Sequence, residues 1–332
     1  MFEPYYGFSA QPFQLSPDPA FFYGSRGHKR AFSYLQYGLY QGEGFITLTG
    51  EIGAGKTMLI RNLLQHLDSS KVVAAQLVST QLNADGLLLA VATALGIPIR
   101  EQSKARILAE LEAYLTTLLT QGKRALLIVD EAQNLAPEAI EELRMLSNYQ
   151  IGNRALLQSF LVGQPELRDL MRTPSMTQLR QRVIAAYHLG PLDADETRAY
   201  IEHRLKQVGW KGDPQFEDGV FPLVHRYTGG IPRRVNTLCT RALLGAYLSE
   251  RHVITVNELE AVIAEFSEEF GEAIAELPTA DATADDLHDG APPSLLEKRI
   301  LNVEKAMSIT LRLLRQLIRE RQGSEARWAD KR

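Results

Sequence analysis

The chain has 332 residues, of which 45% are hydrophobic and 23% are charged, and these proportions are typical of a soluble globular protein. They exclude a chain that is disordered throughout, and the single cysteine, Cys239, excludes an intrachain disulfide. No apolar run approaches the ~20 residues of a membrane-spanning helix, and the N-terminus lacks the basic and apolar regions of a secretory signal. The sequence therefore predicts a cytoplasmic protein without a transmembrane segment.

Charge is distributed unevenly along the chain. Residues 258–293 contain 11 acidic residues and no basic residue, whereas residues 294–332 contain 10 basic and 5 acidic residues. The first 257 residues carry 26 basic and 24 acidic residues and are nearly neutral. Because proteins that bind nucleic acid neutralise phosphates with clustered lysines and arginines, this near-neutral body disfavours nucleic acid as a partner.

Periodicity and composition divide the chain into segments. Residues 1–190 are predicted to hold an N-terminal linker, 1–30, and then short apolar runs that alternate with helical stretches, a pattern typical of a parallel α/β sheet. Residues 191–274 are predicted to be all-helical. Residues 275–293 are acidic, contain three prolines and are poor in large apolar residues, and so they predict a linker.

The last segment predicts one long amphipathic helix over 294–322, followed by a short tail, 323–332. Residues recur in this helix at alternating steps of four and three, and all are apolar except Thr310: Leu296, Ile300, Val303, Met307, Thr310, Leu314 and Leu317. This spacing is typical of a coiled-coil seam about three to four heptads long. Packing on its own domain is an equal alternative, and the basic face makes an anionic membrane surface a third interpretation.

The strongest motif is Gly50-Glu51-Ile52-Gly53-Ala54-Gly55-Lys56-Thr57, which matches the phosphate-binding P-loop. An apolar strand, 45–49, precedes the loop and a helical stretch, 58–64, follows it, as the motif requires. We expect backbone N–H groups and Lys56 to bind phosphates and the Thr57 hydroxyl to ligate Mg²⁺. The loop and the adjoining Met58 are therefore the predicted nucleotide-binding residues.

A second motif joins an apolar strand, 125–129, to two carboxylates, Asp130 and Glu131. Ligands collect at the carboxyl ends of strands in a parallel sheet, so we expect Asp130 to lie beside the Mg²⁺ that Thr57 holds. Glu131 is expected to orient and polarise the attacking water. The tandem Asp-Glu pair indicates an ATPase of the additional-strand type, and the sequence lacks the guanine-reading motif of GTPases.

Gln164 follows a third apolar strand, 158–163. If this strand lies between the two motif strands, the Gln164 amide is expected near the γ-phosphate or the attacking water. The alternative is an ordinary helix cap, since Pro165 and Glu166 suit the first turn of a helix.

Three arginines are candidates for contacts with phosphate. Arg180 and Arg182 lie on a predicted short helix, and an arginine supplied to another subunit can stabilise transition-state charge. Arg233 lies at the start of a helix predicted to run to about Tyr247, where the helix dipole disfavours a cation unless an anion holds it. The alternatives are exposed arginines and, for Arg233, pairing with a nearby acid.

Two smaller expectations concern apolar residues. The aromatic side chains near the N-terminus, Tyr5, Tyr6 and Phe8, are expected either to line an adenine pocket or to cover the edge of the sheet. Cys239 lies on the apolar face of a predicted helix, and free cysteines behave as small apolar residues. We therefore expect Cys239 in the core.

These elements, in this order, resemble an AAA+ ATPase and, more narrowly, the general secretion pathway protein A family. The resemblance extends from Tyr5 to about Phe270. It rests on Tyr6-Gly7-Phe8, Leu48-Thr49-Gly50-Glu51, Asp130-Glu131-Ala132-Gln133, Leu161-Val162-Gly163-Gln164, Leu179-Arg180-Gln181-Arg182 and Gly230-Ile231-Pro232-Arg233.

The resemblance implies a P-loop NTPase fold, with a three-layer α/β/α core around a parallel sheet, a helical lid and a C-terminal helix. It implies Walker A roles for Lys56 and Thr57 and Walker B roles for Asp130 and Glu131. Gln164 would occupy the sensor-1 region. The resemblance further implies that Arg182, or its neighbour Arg180, is the arginine finger acting on the next subunit, and that Arg233 is sensor 2 on the lid.

The resemblance also implies a homo-oligomer, a ring or partial ring such as a hexamer, with ATP and Mg²⁺ at its subunit interfaces. Secretion proteins of this family usually continue into a transmembrane helix and a periplasmic domain, whereas this chain ends in the acidic linker and the seam helix. This shorter form is similar to the ATPases of exosortase (PEP-CTERM) systems, which accompany exopolysaccharide synthesis and export.

These likenesses predict an ATPase that energises or switches a bacterial cell-envelope assembly system. Its partner would be an inner-membrane or polysaccharide-export protein bound through residues 294–322, and the ATPase could be peripheral at the inner membrane. Two other functions stay open: a nucleotide-gated interaction scaffold with little turnover, and a DNA-dependent ATPase of the transposition or initiation type.

Overall fold

A computed structural model describes residues 2–78, 81–99 and 103–270 of the chain. The predicted linker 275–293, the predicted helix 294–322 and the tail 323–332 lie outside these residues. The strands are β1 (Phe45–Gly50), β2 (Val72–Val78), β3 (Arg124–Asp130), β4 (Gln150–Ile151), β5 (Arg154–Ala155), β6 (Leu157–Gly163), β7 (Val183–Leu189), β8 (Gln215–Phe216) and β9 (Val253–Ile254).

Helices follow most of the strands. They are α1 (Arg26–Gln41), α2 (Lys56–Gln65), α3 (Ala84–Ala94), α4 (Lys104–Thr120), α5 (Pro137–Leu146), α6 (Pro165–Arg172), α7 (Thr177–Arg180), α8 (Ala194–Gln207), α9 (Val220–Thr228), α10 (Pro232–Leu248) and α11 (Val256–Phe270). Short 3-10 turns occupy Pro19–Phe21, Ala132–Asn134 and Pro174–Met176. Among the described helices, none is both long enough and apolar enough to cross a lipid bilayer.

The main sheet of the described residues has the strand order β2-β3-β6-β1-β7, and its neighbouring strands pair in parallel. Strand β6 therefore lies between β3 and β1, as the hypothesis for Gln164 requires. The residues of β1 and β6 are buried along their whole length, as is typical of strands in a parallel sheet that is covered on both faces.

Helices cover both faces of this sheet. Alternate residues of β3 point to opposite faces: Leu127 packs in one core with α3, α4 and α5, and Leu126 packs in the other core with α1 and α2. This alternation is the period of two that a strand imposes on its side chains. The predicted three-layer α/β/α architecture is confirmed.

A helical part, α8 to α11, follows β7. It also contains β8 and β9, which pair with each other in parallel, so the prediction that this region is all-helical was wrong in this detail. Cys239 of α10 is buried there, as predicted. Buried leucines and valines of these helices form a third apolar core with the N-terminal aromatic residues Phe2, Tyr6, Phe8, Phe13 and Phe21.

The opening aromatics do not take either of their two predicted places. The Tyr6 hydroxyl donates a hydrogen bond to the backbone carbonyl of Arg251 (2.9 Å), and the Tyr5 ring stacks on His252 at 4.8 Å between centroids. Phe8 is buried in the same apolar core. These aromatics pack against apolar residues of α8 to α11, and the contact removes both sets of side chains from water.

A segment of the N-terminal region, residues 12–17, is fastened to the helical part by a buried arginine. We call this segment the strap. The Arg204 guanidinium on α8 donates to the carbonyl oxygens of Pro12 (2.6 Å) and Gln14 (2.9 Å) and lies over the Phe21 ring. On the other side, Arg61 of α2 donates to the Pro17 carbonyl (2.5 Å). The strap therefore contacts the helical part and the α/β core at once.

We predict that Arg204→Lys lowers the free energy of unfolding by about 2 kcal/mol, because a compact ammonium lacks the planar fork with which the guanidinium reaches the Pro12 and Gln14 carbonyls together, and hydrogen bonds from charged donors contribute more than neutral ones. The measurement is urea unfolding of both proteins without nucleotide. Arg198→Lys is the matched control: Arg198 lies on the same helix but forms exposed ion pairs, so its loss should cost less than about 1 kcal/mol. Equal losses in the two variants would contradict the clamp.

A buried histidine supports the turn between β1 and α2. His28 lies on α1, and its Nδ1 is 2.7 Å from the hydroxyl of Ser25, the residue that caps this helix. Burial lowers the pKa of His28 to about 4, although a hydrogen bond with the Ala54 backbone opposes the shift. A Cβ at Gly55 would lie only 2.6 Å from Nε2, so the imidazole packs directly against this loop.

This lowered pKa predicts an acid-sensitive fold. In the unfolded chain a histidine takes up its proton near pH 6.5, whereas folded His28 stays neutral until about pH 4. The unfolded state therefore binds more protons between these values, and stability should fall with pH there by up to about 1.4 kcal/mol per pH unit. Unfolding free energies measured from pH 7 to pH 5 should show this slope in wild type and in the control His66→Gln, whose histidine is exposed. The slope should flatten in His28→Gln, and an unchanged slope would contradict the assignment.

Candidate nucleotide-binding site

The loop between β1 and α2 has the backbone that phosphate binding requires. Gly55 has φ 101°, in the left-handed region that favours glycine. Gly50 has no room for a side chain, since a Cβ there would lie 2.6 Å from the Leu189 carbonyl oxygen of β7. The helix α2 begins at Lys56 directly after the loop. Its free N-terminal N–H groups and the positive end of its dipole therefore face the loop, where they favour an anion.

Lys56 is buried and folds back over this loop. Its Nζ donates to the carbonyl oxygens of Gly50 (2.6 Å) and Glu51 (3.0 Å). Burial lowers the pKa of Lys56, while the charges of Glu131 and Asp130 oppose that shift. An ammonium group has three donors, so the arrangement keeps one for an anion.

Thr57 and Asp130 meet at the end of β3. The Thr57 hydroxyl donates to Asp130 Oδ2 (3.2 Å), and the backbone N–H of Glu131 donates to Asp130 Oδ1 (3.0 Å). Burial raises the pKa of Asp130, and these two hydrogen bonds counteract the shift. A hydroxyl and a carboxylate side by side are hard oxygen donors, and with Lys56 as the nearby cation they fit Mg²⁺ bound together with phosphates.

Glu131 is held in an uncommon backbone conformation, with φ 52°. Its Oε2 accepts hydrogen bonds from Nε2 of Gln164 (3.0 Å) and from Nε2 of Gln133 (2.6 Å). Partial burial alone would raise the pKa of Glu131, but these two amides and the Lys56 charge outweigh it and lower the pKa. Glu131 is therefore a carboxylate at neutral pH, able to accept a proton.

Gln164 takes the backbone position of a helix cap, but its side chain contacts Glu131. It stands at the N-terminal end of α6, where the backbone position is that of a cap. Its side chain, however, reaches Glu131 instead of the helix N–H groups. The backbone N–H of Gln164 donates to Gln133 Oε1 (3.0 Å).

The helical part reaches this site through the start of α10. The backbone N–H of Arg233 donates to the Gly53 carbonyl (3.2 Å), and its side chain lies against the loop, since a Cβ at Gly53 would be 2.3 Å from Arg233 Cβ. A cavity of about 370 Å³ lies between these parts, lined by the loop residues Ile52, Gly53, Gly55, Lys56 and Thr57, by Met58 and Glu131, by the strap and by Arg204 and Arg233.

Arg180 and Arg182 are not in this cavity. The Arg182 carbonyl accepts a hydrogen bond from the Phe45 N–H (2.9 Å), at the start of β1. The loop between β1 and α2, the phosphate loop, follows the other end of that strand, roughly 17 Å away at ~3.3 Å per residue. The Arg182 guanidinium donates to the Ser147 hydroxyl (2.7 Å), and Arg180 donates to the Met171 carbonyl (2.9 Å). Neither side chain reaches the nucleotide cavity of its own chain.

Several residues of the site carried no separate signal in the sequence. Gln133 is the last residue of the Asp130-Glu131-Ala132-Gln133 motif, but its position in the motif predicted no function for it. Arg204 looks like any basic residue of a surface helix, and nothing in its neighbours reveals that it is buried. The strap has no motif from which a role in the site follows. Each of these residues is defined by a contact between segments far apart in the chain.

The chain is similar to known proteins in sequence. Residues 39–171 match the family model of an AAA domain. General secretion pathway protein A of Aeromonas hydrophila is 38% identical over 268 residues, which cover 80% of this chain and 49% of that protein. The chain thus spans about half the length of the curated relative that it matches.

Solved structures are similar in fold. The ORC2 protein of Aeropyrum pernix, in its ADPNP-ADP complexes, superposes with a TM-score of 0.59 at 20% identity, covering 78% of this chain and 72% of that one. Cdc6p of Pyrobaculum aerophilum has a TM-score of 0.58 at 19% identity, covering 76% of this chain and 70% of that one. At such identities the likeness concerns the fold alone. The chain has the parallel α/β P-loop fold of AAA+ proteins.

Proposed function

We propose that this chain is an AAA+ ATPase of the general secretion pathway protein A type, which binds ATP with Mg²⁺ and hydrolyses it to ADP and phosphate. The observation that carries the proposal is the convergence, at one edge of the sheet, of the loop lysine, the Thr57–Asp130 pair and the Glu131 carboxylate. The match to an AAA domain and the 38% identity to the secretion protein support it.

The loop residues 50–57, together with Met58 in the first turn of α2, would bind the phosphates. Backbone N–H groups of the loop, the Lys56 ammonium and the dipole of α2 all favour negative charge in the same place. Arg233 adds a second cation from the helical part. Thr57 and Asp130 would hold Mg²⁺, which when bound neutralises charge on the β- and γ-phosphates.

Glu131 is the proposed general base. Its carboxylate would orient a water in line with the γ-phosphorus and accept a proton from it as the bond to ADP breaks. Gln164 fits the proposed role of a γ-phosphate or water contact because its amide already shares the Glu131 oxygen. The partial burial of the site strengthens each of these electrostatic contacts relative to water.

A second subunit would complete the site. Arg182 lies at the far end of the sheet from its own phosphate loop, so a contact with nucleotide requires another copy of the chain. We therefore propose Arg182, or else Arg180, as an arginine finger acting in trans within a ring or partial ring, such as a hexamer. Arg182 would have to leave Ser147 to do so.

The cellular role follows from the resemblance. We propose that residues 1–190 form the ATPase core and residues 191–274 its lid, in a machine that energises or switches cell-envelope secretion or exopolysaccharide assembly, as in exosortase systems. Residues 294–322 would recruit an inner-membrane or polysaccharide-export protein and keep the ATPase at the membrane surface.

Deleting residues 294–332 should abolish co-purification of that partner and preserve ATP hydrolysis. Loss of the oligomer instead would assign the segment to self-assembly.

We predict that Glu131→Gln binds ATP like wild type but hydrolyses it roughly 10²–10⁴-fold more slowly, because the amide cannot accept the proton. The measurements are equilibrium ATP binding and single-turnover hydrolysis. Glu138→Gln is the control, since Glu138 is an exposed acid on α5. Hydrolysis at the wild-type rate in Glu131→Gln would overturn the assignment of the base.

We predict that Arg182→Ala loses roughly 10³-fold or more in hydrolysis per subunit, the range known for arginine fingers. Lys56→Ala should be inactive because it fails to bind nucleotide. Mixing the two inactive variants should restore activity, since one supplies an intact nucleotide site and the other an intact Arg182.

The mixing experiment and the turnover of wild type separate a shared interfacial site from a self-contained site, and the ATPase from the nucleotide-gated scaffold. Activity that rises steeply with protein concentration, and is restored by mixing, supports a shared interfacial site. No restoration, with activity indifferent to Arg182, would contradict the trans-acting finger and the ring together. Tight ATP binding without turnover in wild type would favour the nucleotide-gated scaffold over the ATPase.

A further inference from the structure

Gln133 links two residues of the site that directly follow different strands, Glu131 after β3 and Gln164 after β6. It lies in the 3-10 turn Ala132–Asn134 that follows β3. Its Nε2 donates to Glu131 Oε2 (2.6 Å), and its Oε1 accepts from the backbone N–H of Gln164 (3.0 Å), at the end of β6. A single amide group therefore connects the proposed base to the adjacent strand.

The direction of this amide is determined by its partners. The backbone N–H of Gln164 can only donate, so the oxygen of Gln133 must face it. The NH₂ group must then face Glu131, whose carboxylate can only accept. The same reasoning orients Gln164, whose Nε2 also contacts Glu131 Oε2 (3.0 Å). Glu131, Gln133 and Gln164 thus form a closed triangle of hydrogen bonds.

The surroundings leave this triangle little freedom. A Cβ at Gly163 would lie 2.6 Å from Gln133 Oε1, so the glycine that ends β6 is what lets the amide approach the strand. Glu131 itself has φ 52°, a conformation that costs about 1–3 kcal/mol for a residue other than glycine unless its surroundings hold it in place. The contacts to Gln133 and Gln164 are restraints of that kind.

We propose that Gln133 is a positioning residue for ATP hydrolysis, an inference that rests on the proposed function. It ties the Glu131 carboxylate to the start of α6, so that Oε2 is held by the two amides and Oε1 is presented to the attacking water. Gln133 acts on the reaction through Glu131 and touches neither the nucleotide nor the water.

Two substitutions separate the parts of this link. Gln133→Ala removes both hydrogen bonds. Gln133→Glu is nearly the same shape and keeps an acceptor for the Gln164 N–H, but it replaces the donor to Glu131 with a second negative charge. Asn134→Ala is the matched control, because Asn134 is exposed in the same turn.

The measurements are kcat and KM for ATP hydrolysis in the full chain, with ATP affinity and the unfolding midpoint measured in parallel. We expect both Gln133 variants to lose roughly 10²-fold in kcat, the loss that follows a small misplacement of a reacting group. KM and ATP affinity should stay within about threefold of wild type, since ground-state binding is untouched. Asn134→Ala should behave as wild type.

The deciding measurement repeats Gln133→Ala in a chain that already carries Glu131→Gln. If Gln133 acts only through Glu131, it should cause no further loss in single-turnover rate there, because its target is gone. The same loss in both backgrounds, or a loss that follows a lowered unfolding midpoint, would assign Gln133 a structural role and overturn the proposal. Wild-type kcat in both Gln133 variants would overturn it as well.

Failure of the proposed function is distinguishable from these outcomes. If Glu131→Gln hydrolyses ATP at the wild-type rate, Glu131 is not the base, and both the proposed mechanism and the Gln133 proposal are wrong. If Glu131→Gln is slow but Gln133 variants are not, the proposed base is supported and only the Gln133 proposal is wrong.

Discussion

The hydrogen-bonded row formed by β3, β6 and β1 is the constraint on which the site depends. In this row Val129 lies beside Leu161, and Leu161 lies beside Thr47. All three strands run in the same direction, so the Asp-Glu pair, Gln164 and the phosphate loop emerge at one edge. A slip of one residue would exchange the two apolar faces of a strand, and because both faces are buried the packing of each core holds the register in place.

This arrangement brings ionisable groups into a region with little water. Burial acts on Lys56 and Asp130 in opposite directions: it lowers the pKa of the lysine and raises that of the aspartate, because each charged form loses hydration. The charges of Glu131 and Asp130 oppose the shift of Lys56 only in part, and the Glu131 N–H and the Thr57 hydroxyl oppose that of Asp130 only in part. Such groups cost stability in the free protein, and the proposed ligand, a nucleotide with a divalent cation, would offset that cost. Selective binding and the cost to stability have the same physical origin.

The second physical theme is the connection between the helical part and the core. Arg204 holds the strap from α8, Arg61 holds it from α2, and the N–H of Arg233 contacts the loop carbonyl of Gly53. The cavity is thus enclosed by segments from three distant parts of the chain. The loop and the helical part are joined by a direct hydrogen bond, a contact through which the proposed lid would respond to nucleotide.

The sequence by itself determined the phosphate loop, the Asp130-Glu131 pair, the α/β alternation and the strand before Gln164. These features depend on local signals: glycines at fixed spacing, apolar runs as long as a strand, and polar residues directly after them. Element boundaries agreed to within one or two residues where such signals were strong, as in 45–49 and 125–129. The predicted place of the opening aromatics was wrong. An aromatic side chain predicts burial, but its sequence does not indicate which surface it will pack against.

Only the tertiary structure decided the strand order that seats β6 between the two motif strands, the burial of Arg204 and the triangle of Glu131, Gln133 and Gln164. It also decided that Arg182 lies at the far end of the sheet from its own nucleotide loop. Each of these depends on contacts between residues tens to hundreds of positions apart. Such contacts are selected by packing and hydrogen-bond geometry in three dimensions. The local patterns of one sequence do not specify which distant residues will meet.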